Sequence, residues 1–221
     1  MTFTMRDITP NTKIYWTSEG GEPTERSMRY TSPVSFGGRT RTIKAIAINE
    51  NGVKSQIAEA TYNLIPNDWS VQIASKYNRQ YTGGGDEGLT DGIRGTTSFA
   101  SGEWQGYQGR DFVATIDLKK PTTFTEVGGG FLQNAGSWIW MPTHIEFEVS
   151  QDGVNFTRVA DIKTDIAVTD MESKSRDYTA KISPTTARYV RVHAYNLGKI
   201  PSWHPGAGSD AFIFVDEIWV K

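Results

Sequence analysis

Two residues suited to recognition chemistry stand side by side near the C-terminus, Trp203 and His204. The indole offers an apolar face and the imidazole a directed hydrogen bond. Pro201, Pro205, Gly206 and Gly208 surround them and forbid helix or strand, so both belong to a loop. Two other loops carry comparable sets: Trp104 and Tyr107 within 95–110, and Gln133, Trp138 and Trp140 within 132–142. A ring on a loop either packs beneath that loop or waits for a ligand with an apolar face. Sugars are such ligands, because their C–H faces stack on rings while their hydroxyls need placed donors and acceptors. The run Trp138-Ile139-Trp140-Met141 assigns Trp140 to packing. Trp104, Gln133, Trp138, Trp203 and His204 are the expected ligand contacts, and Trp219 is expected in the core.

Catalytic chemistry finds no comparable set. No spacing marks a pair of carboxylates for glycoside hydrolysis, and the adjacent Asp216 and Glu217 are expected on opposite faces of a strand. Asp86 and Glu87 sit in a Gly-rich loop and are expected in solvent. His144, His193 and His204 are too scattered in sequence for a metal triad, and G-x-S-x-G is absent. With 0 cysteines, disulfides, thiolate metal sites and Cys nucleophiles are excluded. A net charge of -2 gives no electrostatic footprint for nucleic acid or anionic lipid. No apolar run of ~18 residues exists to span a membrane, and Met1 to Pro10 shows no apolar signal-peptide core.

The elements that must hold these loops are strands. Helical periodicity is nearly absent, and short β-branched segments recur between turns. Lys13–Thr17, Arg41–Ile48 and Glu59–Leu64 form a small all-β unit, ended by Ile65, Pro66, Asn67 and Asp68. That boundary gives units 1–66 and 67–221. In the second unit, Tyr77–Tyr81 reads as a possible strand, and Phe112–Leu118 as one stopped by Lys119, Lys120 and Pro121. Ile145–Ser150 alternates, with Ile145, Phe147 and Val149 inward and Glu146 and Glu148 outward. Gln151, Asp152 and Gly153 make a hairpin turn back to Phe156–Ala160. Arg188–Ala194 places Val190 and Val192 inward, Arg191 and His193 outward, and Ala211–Val220 closes the chain. Short strands at steady spacing predict a β-sandwich.

Two resemblances add to this reading. Trp16, Thr17, Ser18 and Glu19, the turn through Gly20, Gly21, Glu22, Pro23 and Thr24, and the strand Thr42-Ile43-Lys44-Ala45 resemble the chitobiase/β-hexosaminidase C-terminal domain. Trp16 and Glu19 replace that family's usual Tyr and Asp. The resemblance implies a fibronectin-like spacer, with Glu19 and Glu22 as turn residues. Further on, Leu89-Thr90-Asp91-Gly92, Ala114–Leu118, Val149–Phe156, Ala187–Val192 and Phe214–Ile218 resemble, in order, the discoidin domain. This fold is also known as the factor V/VIII C-domain or carbohydrate-binding module family 32. Ser98 stands where many members have Trp, so the core aromatic is expected from Phe99 or Trp104.

The resemblance implies a galactose-binding-like β-sandwich, a structural calcium at Asp91, Thr96 and Glu217, and a ligand glycan containing galactose or an N-acetylhexosamine. Trp104-Gln105-Gly106-Tyr107, Trp138-Ile139 and the Trp203-His204 loop look like the version attached to bacterial family 20 β-hexosaminidases. The expected chain is therefore non-catalytic. It would serve a secreted, periplasmic or cell-surface glycoside hydrolase by holding the parent's catalytic domain on glycans. Two rivals stand beside it: a structural module that packs on that domain without binding sugar, and a protein- or lipid-binding discoidin domain. The last expects basic rims, yet beside the Trp loops the chief basic residue is Lys199.

Overall fold

A computed structural model describes residues 2–35, 40–62 and 64–221. The chain divides into two compact units, Met1–Leu64 and Ile65–Lys221. The fold is all-β, with β-sandwich sheets. No helix among the described residues is long and apolar enough to cross a membrane.

The first unit contains β1 (Thr2–Phe3), β2 (Lys13–Thr17), β3 (Met28–Arg29), β4 (Val34–Ser35), β5 (Arg41–Ile48) and β6 (Ala58–Tyr62). Strands pair in the order β3-β2-β5-β6, and β1 pairs with β4. Phe3, Trp16 and Ile43 form its small core, with Phe3 edge-on to Trp16 at 5.4 Å. Glu19 pairs with Arg41 on β5, as a turn residue does. Asn63, within the expected Glu59–Leu64 strand, lies outside the described residues.

The second unit contains β7 (Ser70–Ile73), β8 (Gln105–Gln108), β9 (Phe112–Gln133), β10 (His144–Ser150), β11 (Thr157–Lys163), β12 (Lys174–Ala194) and β13 (Phe212–Val220). Strand order is β11-β10-β12-β9-β13-β8, and β7 joins β9. The opening strand is thus Ser70–Ile73 rather than Tyr77–Tyr81, where the chain makes turns. Nor does Pro121 stop β9. Lys119 turns into the left-handed region at φ 68, and the pairing with β12 skips from Asp117–Tyr189 to Thr122–Ala187. A bulge absorbs the missing N–H of proline and bends the strand instead of ending it. On the partner β12 that shift falls between Ala187 and Tyr189, and a second follows between Lys181 and Thr185, opposite Glu126 and Phe124. Both long strands therefore pass from one layer to the other.

Ile116, Ile145, Phe147, Val190 and Val192 face Val127, Phe131, Tyr178, Ile213, Val215 and Ile218 in one continuous core. The inward residues are those that alternation selects. The expected turn after β10 is present: the Asp152 carboxylate accepts the N–H groups of Val154 (2.9 Å) and Asn155 (2.8 Å).

Candidate functional site

At the end of β9 the chain makes a short 3-10 turn, Ala135–Ser137, capped by the Asn134 side chain on the Ser137 N–H. The next residue, Trp138, takes the left-handed conformation (φ 68, ψ 21). Such a backbone is unfavourable for a bulky side chain and persists only where surroundings impose it. Here they do. The Trp138 carbonyl accepts the Phe212 N–H at 2.8 Å, and the Trp140 N–H donates to the Phe212 carbonyl at 3.0 Å.

The 198–210 loop is bound internally as firmly. Ile200 N–H donates to Ser209, Gly208 N–H to Ile200, and Ala211 N–H to Gly198, while Lys199 pairs with Asp210 at 2.7 Å. The two loops meet at Gly206. A methyl group there would come within 2.6 Å of the Trp138 Nε1, so the indole lies directly on glycine backbone.

Exposure separates the aromatics. Trp203 is 48% exposed and Trp138 is 37% exposed, the two accessible tryptophans of this end. A chain of rings leads inward from Trp203: Trp203 is edge-on to His204 at 5.6 Å, and His204 edge-on to Trp140 at 5.3 Å. Trp140 is buried, and its Nε1 donates to the Val168 carbonyl. His204 is 5% exposed, and its Nδ1 accepts the Gly206 N–H at 3.0 Å. That bond fixes the proton of the neutral ring on Nε2, which then donates.

A second constellation lies where the 91–95 loop meets β13. The Gly92 N–H donates to Glu217 Oε2 at 3.1 Å, and the Gly95 N–H to Asp216 Oδ2 at 2.8 Å. Both acids therefore reach the same loop, contrary to strict alternation, because β13 shifts register between Val215 and Glu217. Asp216 also binds Arg94 at 3.0 Å. Glu217 is buried, and burial first, then the Asp91 charge, pushes its carboxyl up to about 8. Burial likewise raises Asp91 above the usual carboxylate range, although its Oδ1 accepts the Ile93 N–H. Two neighbouring carboxylates held in a poorly solvated pocket are a hard-oxygen donor set, suited to a cation such as Ca²⁺. Thr96 points elsewhere: its hydroxyl accepts the Ser98 N–H and its carbonyl the Trp104 Nε1–H.

Residues 72–211 match the family model described as F5/8 type C domain, which is more than half of the chain. The chain belongs to the F5/8 type C domain family. Residues 3–62 match the model described as Fn3 associated. No curated protein matches the chain. Solved structures that it is similar to include CpGH89CBM32-5 from Clostridium perfringens, in complex with GalNAc-β-1,3-galactose. That similarity is 18% identity at a TM-score of 0.45, covering 69% of this chain and 94% of the other. Chitosan-binding module 1 of a chitosanase/glucanase from Paenibacillus sp. IK-5 is 16% identical at a TM-score of 0.47, covering 72% and 99%.

Within this F5/8 type C domain the expected contacts divide. Trp138, Trp203 and His204 come together. Trp104 does not join them: it is 1% exposed, packs with Leu132, Ile139 and Phe214, and lies over Gly95. It is the core aromatic of the loop. Gln133 is also buried, and its Nε2 donates to the Asp170 carbonyl at 2.7 Å, so it anchors the 165–173 loop rather than facing solvent. Trp219 is only half-buried and lies under Arg94 and Lys221. The 165–173 loop itself, with exposed Val168 and Met171, was missed by sequence reasoning. Its one signal was the apolar run Ile166-Ala167-Val168, followed by Met171, set among polar residues.

Proposed function

We propose that residues 65–221 form a non-catalytic carbohydrate-binding module whose ligand stacks on Trp203 and Trp138. The observation that carries this reading is two exposed indoles on internally bonded loops that meet at Gly206, with Trp203 beside the fixed His204. Apolar rings left in water are unfavourable, and a preformed loop loses little entropy when a ligand arrives. The ligand is a galactose- or N-acetylhexosamine-type residue. Its C–H face covers Trp203, and one hydroxyl accepts from His204 Nε2. The neighbouring cation Lys199 is neutralised by Asp210, which disfavours an anionic lipid surface at this end.

Asp91 and Glu217 would hold calcium, with loop carbonyls completing the oxygen shell. A bound calcium supplies the positive charge that the two carboxylates lack and ties the 91–95 loop to β13. The first unit serves as a spacer. Together the two units hold the catalytic domain of an exported bacterial glycoside hydrolase, a β-N-acetylhexosaminidase, at its substrate and raise its effective concentration there. No turnover of chromogenic N-acetylglucosaminides is expected from residues 1–221.

Calorimetric titration of the chain with galactose, N-acetylgalactosamine and N-acetylglucosamine tests the ligand. Binding on the order of millimolar to tens of micromolar is expected, since one sugar buries little area and competes with water for every hydroxyl. Silence across a wide glycan array would instead favour a structural module that packs on the catalytic domain.

A further inference from the structure

The outer face of the sheet formed by β11, β10 and β12 carries a cluster that the glycan reading does not use. Pairing sets Glu146 opposite Asp161 on one side and opposite His193 on the other. His144 lies two residues before Glu146 and so shares its face. Two of the three histidines that look scattered in sequence therefore come together: the Tyr195 ring is stacked between His144 and His193, 3.8 Å from each. Stacking holds the His144 ring in place. The Tyr195 hydroxyl donates to Glu146 Oε2 at 2.9 Å, which fixes that carboxylate and, with Arg158, keeps it below the usual carboxylate range. One donor atom each from His144, Glu146 and Asp161 lies within 4.8 Å of the others. Arg158 already reaches both acids with one nitrogen, 2.5 Å from Glu146 and 3.6 Å from Asp161. A cation thus already lies between the two acids.

We propose that His144, Glu146 and Asp161 form a zinc site on this face, which Zn²⁺ takes by displacing the Arg158 guanidinium. Imidazole with two carboxylates suits zinc better than calcium, which prefers an all-oxygen shell. Tyr195 acts as a positioning residue that orients Glu146, as groups behind a metal ligand commonly do. The consequence is mechanical. β11 is the edge strand of the sheet, and an ion held by β10 and β11 cross-links that edge to its neighbour.

The test is calorimetric titration of tag-free, chelator-treated chain with ZnCl₂ in excess CaCl₂, with Co²⁺ absorption as an independent readout. One zinc per chain is expected, with a rise in melting temperature. His144→Gln and Asp161→Asn should abolish both signals. Tyr195→Phe should weaken binding about tenfold. Arg158→Gln should bind zinc more tightly, because the competing cation is gone. Melting curves without zinc check that each variant folds. Should His144→Gln fail to fold, the exposed Asp161→Asn decides. Absence of zinc binding, or binding undiminished in folded His144→Gln or Asp161→Asn, overturns the proposal.

Discussion

Trp104 and Trp138 make an informative pair. Each sits on a loop of the same F5/8 type C domain, and each lies directly over a glycine, Gly95 and Gly206 respectively. Trp104 is then covered by Leu132, Ile139 and Phe214 and gives its Nε1–H to Thr96. Trp138 is left more than a third exposed, on a left-handed backbone held by Phe212. The same residue type over the same kind of support thus becomes core in one place and surface in the other. What decides is whether a third layer of apolar side chains closes over the ring. Aromatic enrichment in loops therefore does not identify a binding surface, whereas an uncovered ring on an imposed backbone does.

The largest effect should come from removing the covered ring. Trp104→Ala is expected to destabilise the second unit by about 3–5 kcal/mol, the cost of a cavity left by a large buried side chain. Chemical denaturation measures it. Near-normal stability would mean that Trp104 is not the core aromatic.

Next in size is the carboxylate pocket. In chelator, Glu217 has a higher proton affinity folded than unfolded, so the folded state binds more protons between pH 4.5 and 8. Stability is then complete below pH 4.5 and falls as pH rises toward 8, by on the order of a few kcal/mol. Burial of Asp91 and Asp216 acts in the same direction. Calcium should flatten the slope, and Glu217→Gln should remove most of it in chelator. A melting temperature that rises with pH over this range would contradict the assignment.

The uncovered rings should behave in the opposite way to Trp104. Trp203→Ala is expected to weaken glycan binding by roughly 1–3 kcal/mol while leaving the melting temperature nearly unchanged. A sharp fall in stability with binding per folded molecule intact would make Trp203 core and move the site elsewhere. The smallest effect on stability should come from Trp138→Gly. Relief of the left-handed backbone, about 1–2 kcal/mol, offsets the removal of the indole from its seat on Gly206, while affinity for sugar falls. A large drop in stability there would show that Trp138 is held by packing more than by its backbone bonds.

How far the sequence announces this molecule depends on whether the deciding interaction is local. Alternation in Ile145, Phe147, Val190 and Val192 is local, and the core contains all of them. The Asp152 turn is local too. The continuation of β9 past Pro121 is not legible, because a bulge at Lys119 satisfies the proline only when β12 shifts beside it. The joint approach of Asp216 and Glu217 to one loop depends on a bulge for the same reason. Burial of Trp104 and Gln133 is set by distant partners, Phe214 and Asp170, that no sequence spacing relates. His144 and His193 lie far apart in the chain and meet only through strand register. The exposed members of the candidate site, Trp138 and Trp203, were legible because glycine and proline mark their loops.

The indole N–H signals provide the most direct measurement. The 7 tryptophans each carry one such group, and a two-dimensional ¹H–¹⁵N spectrum resolves them during titration with galactose and N-acetylgalactosamine. The signals of Trp138 and Trp203 should move together, with Trp140 following weakly through His204, while Trp104 and Trp16 stay fixed. Saturable movement of Trp104 or Trp16 with Trp138 and Trp203 unmoved would contradict the account.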